Sequence, residues 1–316
     1  MEREKLFEVI RHYDDMEAFI RGVTEKIKEK VKEKNNAILT VILFFIATAD
    51  KQKMSTRDGQ KKINETEEKI KEIVDDLGDE LLSKIKQECE KTFDTELAFL
   101  ILLLAFLGRN HKSISQNEKN KIIKYENFSG VSIRRRIDKF KSDFVYNILK
   151  LATDSLNKNM EINQIKYNLN RLMDAAGNSA KIEADTILNS TINDTALSVA
   201  AKNKTNLMYI AIMDMNVCHD CRHLHGVIFA YDDTDIPVLP QHPRCRCQLV
   251  PVINGLDKIS FKEYFESLSE NEKKNRIGSA RYAEYKKGQY KIKEYVYPEK
   301  SVSIGEIKKT DKIHFS

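Results

Sequence analysis

Tryptophan is missing altogether, and only 5 prolines and 11 glycines occur in 316 residues. These are the residues that interrupt helices and shape tight turns, so their scarcity, with abundant Lys, Asn and Ile, argues against a loop-dominated chain and for a helix-rich one. So few glycines leave no Gly-rich phosphate loop, and nucleotide hydrolysis is without support. An excess of one charge is lacking too. The 53 Lys+Arg face 48 Asp+Glu, a net of +5, dispersed through mixed-sign helical segments, so charge alone marks no nucleic-acid footprint. No apolar run reaches the roughly 20 residues that cross a bilayer. The opening MEREKLFEVI is charged and amphipathic rather than basic and then apolar, and the cysteine count, five, is odd. A reducing cytoplasm is the expected compartment. Neither His-x-Glu with a later Pro-Cys-x-x-Cys nor His-Glu-x-x-His is present, which removes two zinc-enzyme signatures and leads us to expect no enzyme.

What the chain does have is helical period. Leu6, Val9, Ile10, Tyr13, Met16 and Phe19 recur at three- and four-residue steps, as do Ile63, Ile70, Val74, Leu77, Leu81 and Ile85, each set marking one buried face. Two segments, AILTVILFFIATA from Ala37 and LAFLILLLAFL at Leu97 to Leu107, are apolar all round and read as central helices buried on every side. Insertion into a membrane after a conformational change is the sharper alternative. His111 to Ser132 is polar, contains NFSGVS and reads as a break. Helical period resumes through Ile137, Phe140, Phe144, Ile148 and Leu151, then Ile162, Ile165, Leu169 and Leu172, with Gly177 expected to cap the helix end. A further helix from Ser179 to about Lys202 leads into the strand-like LMYIAIMD. Four of the five prolines then fall in VIFAYDDTDIPVLPQHPRCRCQLVPV, a loop-rich strand module, and from Ser260 a charged helix follows. The expected fold is mainly α: an N-terminal helical bundle (1–125), a helical region (126–204), a small α+β module stapled by zinc (205–255) and a helical tail (256–316).

Four of the five cysteines crowd between Cys218 and Cys247. In a reducing compartment such crowding points to metal ligands rather than disulfides. CHDC lets Cys218 and Cys221 reach one tetrahedral ion from a single turn. Twenty residues on, HPRCRC offers His242, Cys245 and Cys247. Soft thiolates with an imidazole favour zinc, at roughly 2.0–2.3 Å. Five candidates compete for four places. The His-x-x-Cys spacing favours Cys245, with Cys247 left open. Three thiolates and one imidazole leave no position for water, so the metal is expected to be structural. Packed, reduced thiols are the plainer reading. His219, His223 and His225 are expected to be partly exposed polar residues, as are Asp214, Asp220, Asp232, Asp233 and Asp235. Cys89, alone in a charged helical run, is expected to be inert.

The order of these residues resembles the phage Mu protein F-like head morphogenesis, or minor head, proteins of tailed phages. DMNVCHDCRHLHGVIF is similar to that family's Asp-x-x-x-Cys-x-x-Cys-x-x-Leu-x-Gly-x-x-Phe, at Asp214, Cys218, Cys221, Leu224, Gly226 and Phe229. HPRCRC before LVP is similar to its second half. KIEADTILNSTINDTAL upstream and FKEYFESLSENEKKNRIGSARYAEYKKGQ downstream extend the likeness over about Gly130 to Tyr297. Tyr209 and Ile210 stand where the family often has Trp, and the first 125 residues carry no matching motif. The resemblance implies a structural protein made in the bacterial cytoplasm and incorporated in few copies inside the procapsid. It implies association with the portal protein, possible contact with scaffold or major capsid protein or packaged DNA, and a role in assembly or genome delivery from the virion. A nucleic-acid-binding zinc module, for which Arg222, Arg244 and Arg246 speak, and a phage-delivered effector are the competing readings.

Overall fold

The computed structural model describes residues 3–109, 111–124, 132–211, 217–253 and 259–292. Four long helices dominate it: α1 (Arg3–Glu33), α3 (Arg57–Phe106), α5 (Ile133–Asn157) and α6 (Ile162–Asn203). Shorter ones are α2 (Asn35–Thr48), α4 (Gln116–Lys124) and α7 (His219–Leu224), then α8 (Phe261–Ser267), α9 (Glu270–Ile277) and α10 (Ser279–Lys286). At 1.5 Å per residue the 50 residues of α3 extend about 75 Å.

On α1, Leu6, Val9, Tyr13, Met16, Ile20, Val23 and Ile27 are buried. Their alternating three- and four-residue steps form the seam of helices packed lengthwise. Phe19 lies off this seam and is 37% exposed. The partner along α1 is α6, running antiparallel: Lys32 pairs with Asp174 at 3.0 Å, Asn35 donates to Asn170, and Lys181 pairs with Glu25. One hydrophobic cluster runs from Leu6 through α2, α3, α5 and α6 to Leu268. Helices of the first 125 residues and those that follow therefore share a core.

Three sequence expectations change. Gly177 does not end a helix. It is buried in the middle of α6, which continues from Ile162 to Asn203. A Cβ there would stand 3.0 Å from Lys28 Cγ and 3.2 Å from the Lys28 carbonyl, so the glycine permits close approach of α1 rather than a cap. The true end is Lys204, left-handed at φ 50°. Second, the two apolar segments are not buried on all sides. On α2 only Ile38, Ile42 and Phe45 are fully buried, and Phe44 is 52% exposed, while Leu102 and Phe106 of α3 are 70% and 51% exposed. Each segment therefore leaves part of its apolar surface facing outward. No helix among the described residues is long and apolar enough to cross a membrane. Third, the charged tail is several helices: Ser260 caps α8, Ser269 and Glu272 form a capping box that starts α9, and Gly278 at φ 84° separates α10. Serine side chains that satisfy the first free N–H groups restart the helix each time. The expected break at NFSGVS lies outside the described residues except for Ser132, which caps α5. Residues 293–316 lie outside them as well.

A three-stranded sheet, in the order β2-β1-β3, follows α6. β1 (Leu207–Ile210) pairs antiparallel with β2 (Ile228–Phe229) and β3 (Gln248–Pro251), with Leu207 opposite both Phe229 and Pro251. Every residue of β1 and β3 is buried. The module's apolar residues join the same cluster as the helices, so burial as well as any metal holds its shape.

Candidate metal centre

Cys218 is the N-cap of α7. Its Sγ accepts the Cys221 N–H at 3.3 Å, so the two-residue spacing turns both sulfurs toward one side. CHDC thus opens a helix rather than lying in a strand-flanked turn. Gly226, at φ 81°, reverses the chain from α7 into β2, and its N–H donates to the Tyr209 carbonyl at 2.8 Å. This left-handed position explains the glycine of the motif. The second half is a tight turn in which Cys245 N–H donates to the His242 carbonyl at 3.0 Å, with Arg244 at φ 66°.

The two halves meet. Cys218 Sγ and Cys221 Sγ stand 3.2 and 3.4 Å from His242 Nε2, and Cys221 Sγ is 3.8 Å from Cys245 Sγ. With metal–ligand distances of 2.0–2.3 Å, a tetrahedral ion has sulfur–nitrogen edges of about 3.5 Å and sulfur–sulfur edges of about 3.8 Å. The five atoms form two groups, Cys218/Cys221/His242 and Cys221/Cys245/Cys247, each compact enough to hold an ion and sharing Cys221. Both HPRCRC thiols reach the cluster, and the geometry leaves the choice between them open.

The donor chemistry fits a cation. Pro243 offers only a carbonyl, so His242 Nδ1 must be the donor in their 3.0 Å contact, and Nε2 is left bare toward the thiols. Burial lowers the His242 pKa, but that hydrogen bond and the charge at Cys245 outweigh it. Hydrogen bonds from the Cys221 and Cys247 thiols pull Cys245 well below the ordinary thiol range, while Cys221 and Cys247 are pushed up. Among the three buried thiols the ionised form is thus favoured at Cys245 and disfavoured at its two neighbours. A divalent cation lets the others ionise as well. Over them lies Tyr209, whose buried hydroxyl has its pKa raised by burial and by the charges of Cys247, Cys245 and Cys221, and which interacts with the Cys221 thiol. A thiolate bound to metal is an acceptor this hydroxyl can use.

Residues that the sequence reading missed hold the cluster in place. Asn193, buried on α6, donates from Nδ2 to the Cys247 carbonyl at 3.2 Å and accepts the Leu249 N–H on Oδ1 at 2.9 Å. One side chain thereby extends the sheet edge and docks the HPRCRC turn onto α6. Gln248 reaches Asn189 at 3.5 Å. A run of Asn, Ser and Thr within a helix otherwise facing apolar surface, Thr186 to Thr195, is the signal that could have revealed this.

Neighbouring histidines take other roles. His219 and His223 are exposed and lie 4.0 Å apart, ring to ring. His225, expected to be partly exposed, is buried and accepts the Ala211 N–H at 3.1 Å. Asp220 is exposed, and Asp233 accepts the Asp235 N–H at 2.8 Å in a turn. Asp214 lies outside the described residues. Arg246 pairs with Glu17 of α1 at 3.0 Å, which weakens the nucleic-acid reading. Cys89 is buried, its thiol pushed up to about 12 by desolvation, as suits an inert residue.

The arrangement defines a class: an elongated helical protein bearing a small sheet with a metal-capable Cys/His knuckle. Within it, residues 146–250 match the family model described as Phage Mu protein F like protein. The match runs from α5 to β3 and takes in all five candidate ligands. It bears out the resemblance read from the motifs over a shorter stretch than Gly130 to Tyr297, and phage head morphogenesis is the role it suggests. No curated protein and no solved structure matches the chain.

Proposed function

We propose that this protein is a structural minor head protein of a tailed phage or prophage, and that one zinc ion staples its sheet module. Cys218, Cys221, His242 and one of Cys245 and Cys247 hold the ion. The observation that carries this reading is that the segment similar to the phage Mu protein F family, residues 146–250, is the one that folds the five ligands together. A site closed by four protein ligands offers no place for water, so the ion acts as a folding element and the protein without catalysis. Its partners are other head components, foremost the portal protein. It is made in the host cytoplasm and retained in the capsid interior, where it serves assembly or genome delivery.

Two measurements on the full chain test this. Elemental analysis should find one zinc per chain, and co-expression with the portal protein of the same phage should give a complex that survives purification. Folded protein free of metal refutes the staple. Failure to hold the portal refutes the assigned partner.

A further inference from the structure

We propose that the metal knuckle is a clasp for the C-terminal helices, so that α8 and α9 stay docked on α1 only while the Cys/His turn is closed by its ion. This rests on the metal reading above and concerns regulation by that same site. The juxtaposition that carries it is a single carboxylate. Glu17 of α1 accepts Arg246 on Oε1 at 3.0 Å and Arg276 of α9 on Oε2 at 3.5 Å. Arg246 stands between Cys245 and Cys247 in the chain. Arg276 also pairs with Asp14 at 2.7 Å, and Asp14 accepts the Tyr264 hydroxyl of α8 at 2.6 Å. Arg11 lies 3.9 Å from Glu272 at the start of α9. A chain of charge runs from the metal turn through α1 to both helices, around a polar cavity of about 230 Å³.

The members are largely withdrawn from water: the side chains of Asp14, Arg276, Arg246 and Glu17 are 13%, 14%, 18% and 20% exposed. Charges so placed depend on keeping every partner, because one that is lost leaves its neighbour desolvated and uncompensated. With a candidate ligand on either side of it in the chain, Arg246 follows the position of the metal turn. Loss of the ion removes the link that ties the CHDC turn to the HPRCRC turn. The turn is then free to shift, Arg246 with it, and Glu17 is left with Arg276 as its remaining cation in the chain of contacts. The polar docking of α8 and α9 weakens while the long helices, held to one another along their apolar seams, stay in place.

Amide hydrogen exchange of the zinc-loaded full chain, followed by mass spectrometry before and after a strong chelator, tests the clasp. Metal content is measured in the same samples. Peptides covering 261–277 should exchange about tenfold faster after chelation, the lower end for losing one charge-assisted pair. Core amides of α3 should not change. Glu17→Gln should keep its zinc yet show the faster exchange at 261–277 already, with no further increase on chelation. Zinc bound and removed with unchanged exchange at 261–277 overturns the clasp and leaves the staple standing. Faster exchange throughout α3 also overturns it, because the change is then global unfolding. Folded protein without metal overturns both.

Discussion

Replacing Asn193 by alanine should show how strongly the knuckle depends on α6. The amide satisfies two backbone groups of the β3 segment, the Cys247 carbonyl and the Leu249 N–H, and Asn193 is 1% exposed. Removing it strands both in a buried place, at about 1–3 kcal/mol each. Alanine returns at most about 0.7 kcal/mol of helix propensity, so a net loss of about 1–5 kcal/mol is expected. Because the stranded carbonyl belongs to a candidate ligand, metal affinity should fall as well, by about tenfold or more. Urea denaturation at fixed zinc, with a competition titration for the metal, reads both. Asn193→Asp sharpens the test: it keeps an acceptor for Leu249 but turns an acceptor toward the Cys247 carbonyl, so it should be no more stable than alanine at neutral pH. A loss under about 1 kcal/mol for Asn193→Ala, or wild-type stability for Asn193→Asp, would refute the reasoning.

Cys221 belongs to both ligand groups, so Cys221→Ser should abolish metal binding, while Cys89→Ser should leave one ion per chain. In the same elemental assay Cys245→Ser and Cys247→Ser identify the fourth ligand by which of them loses the metal. At Gly177, alanine gains about 1 kcal/mol of helix propensity against contacts at 3.0 and 3.2 Å to Lys28 and should be near neutral, whereas Gly177→Leu should cost about 2–3 kcal/mol in thermal denaturation. Equal stability of the two variants would show that α1 and α6 are not tight there. Asp194 is raised to about 7 by burial, from an ordinary 3.8, and one of its oxygens is buried without a hydrogen-bond partner. The unfolded chain gives up this proton first, so its stabilising share is full below about pH 4 and is lost as pH rises to about 7. Asp194→Asn should match wild type near pH 4 and exceed it at pH 8 by up to about 4 kcal/mol, and equal stability at both pH values would sink this account.

The buried faces of α1, α3 and α5 were readable from the chain because helical geometry fixes which side chains share a face, whatever the partner. Most of Leu6 to Met16, and Ile70 to Ile85, are inside as the period required. The meeting of CHDC with HPRCRC was readable for a similar reason: few arrangements satisfy four clustered thiols in a short stretch. Period alone could not show where α6 ends. A glycine suits a cap or a helix crossing equally well, and the arrival of Lys28 from a helix about 150 positions earlier decided between them. Nor could composition tell that Leu102 and Phe106 face outward, since an all-apolar helix has no marked side until its neighbours are placed. Asn193, Tyr209 and Glu17 gained their roles the same way, because a polar group acquires a function only from the groups that tertiary folding brings within hydrogen-bond reach. The order of residues determined the local helix faces and which thiols and imidazole crowd together. Tertiary structure alone chose the partners, because contact energy depends on which surfaces arrive together and not on their order along the chain.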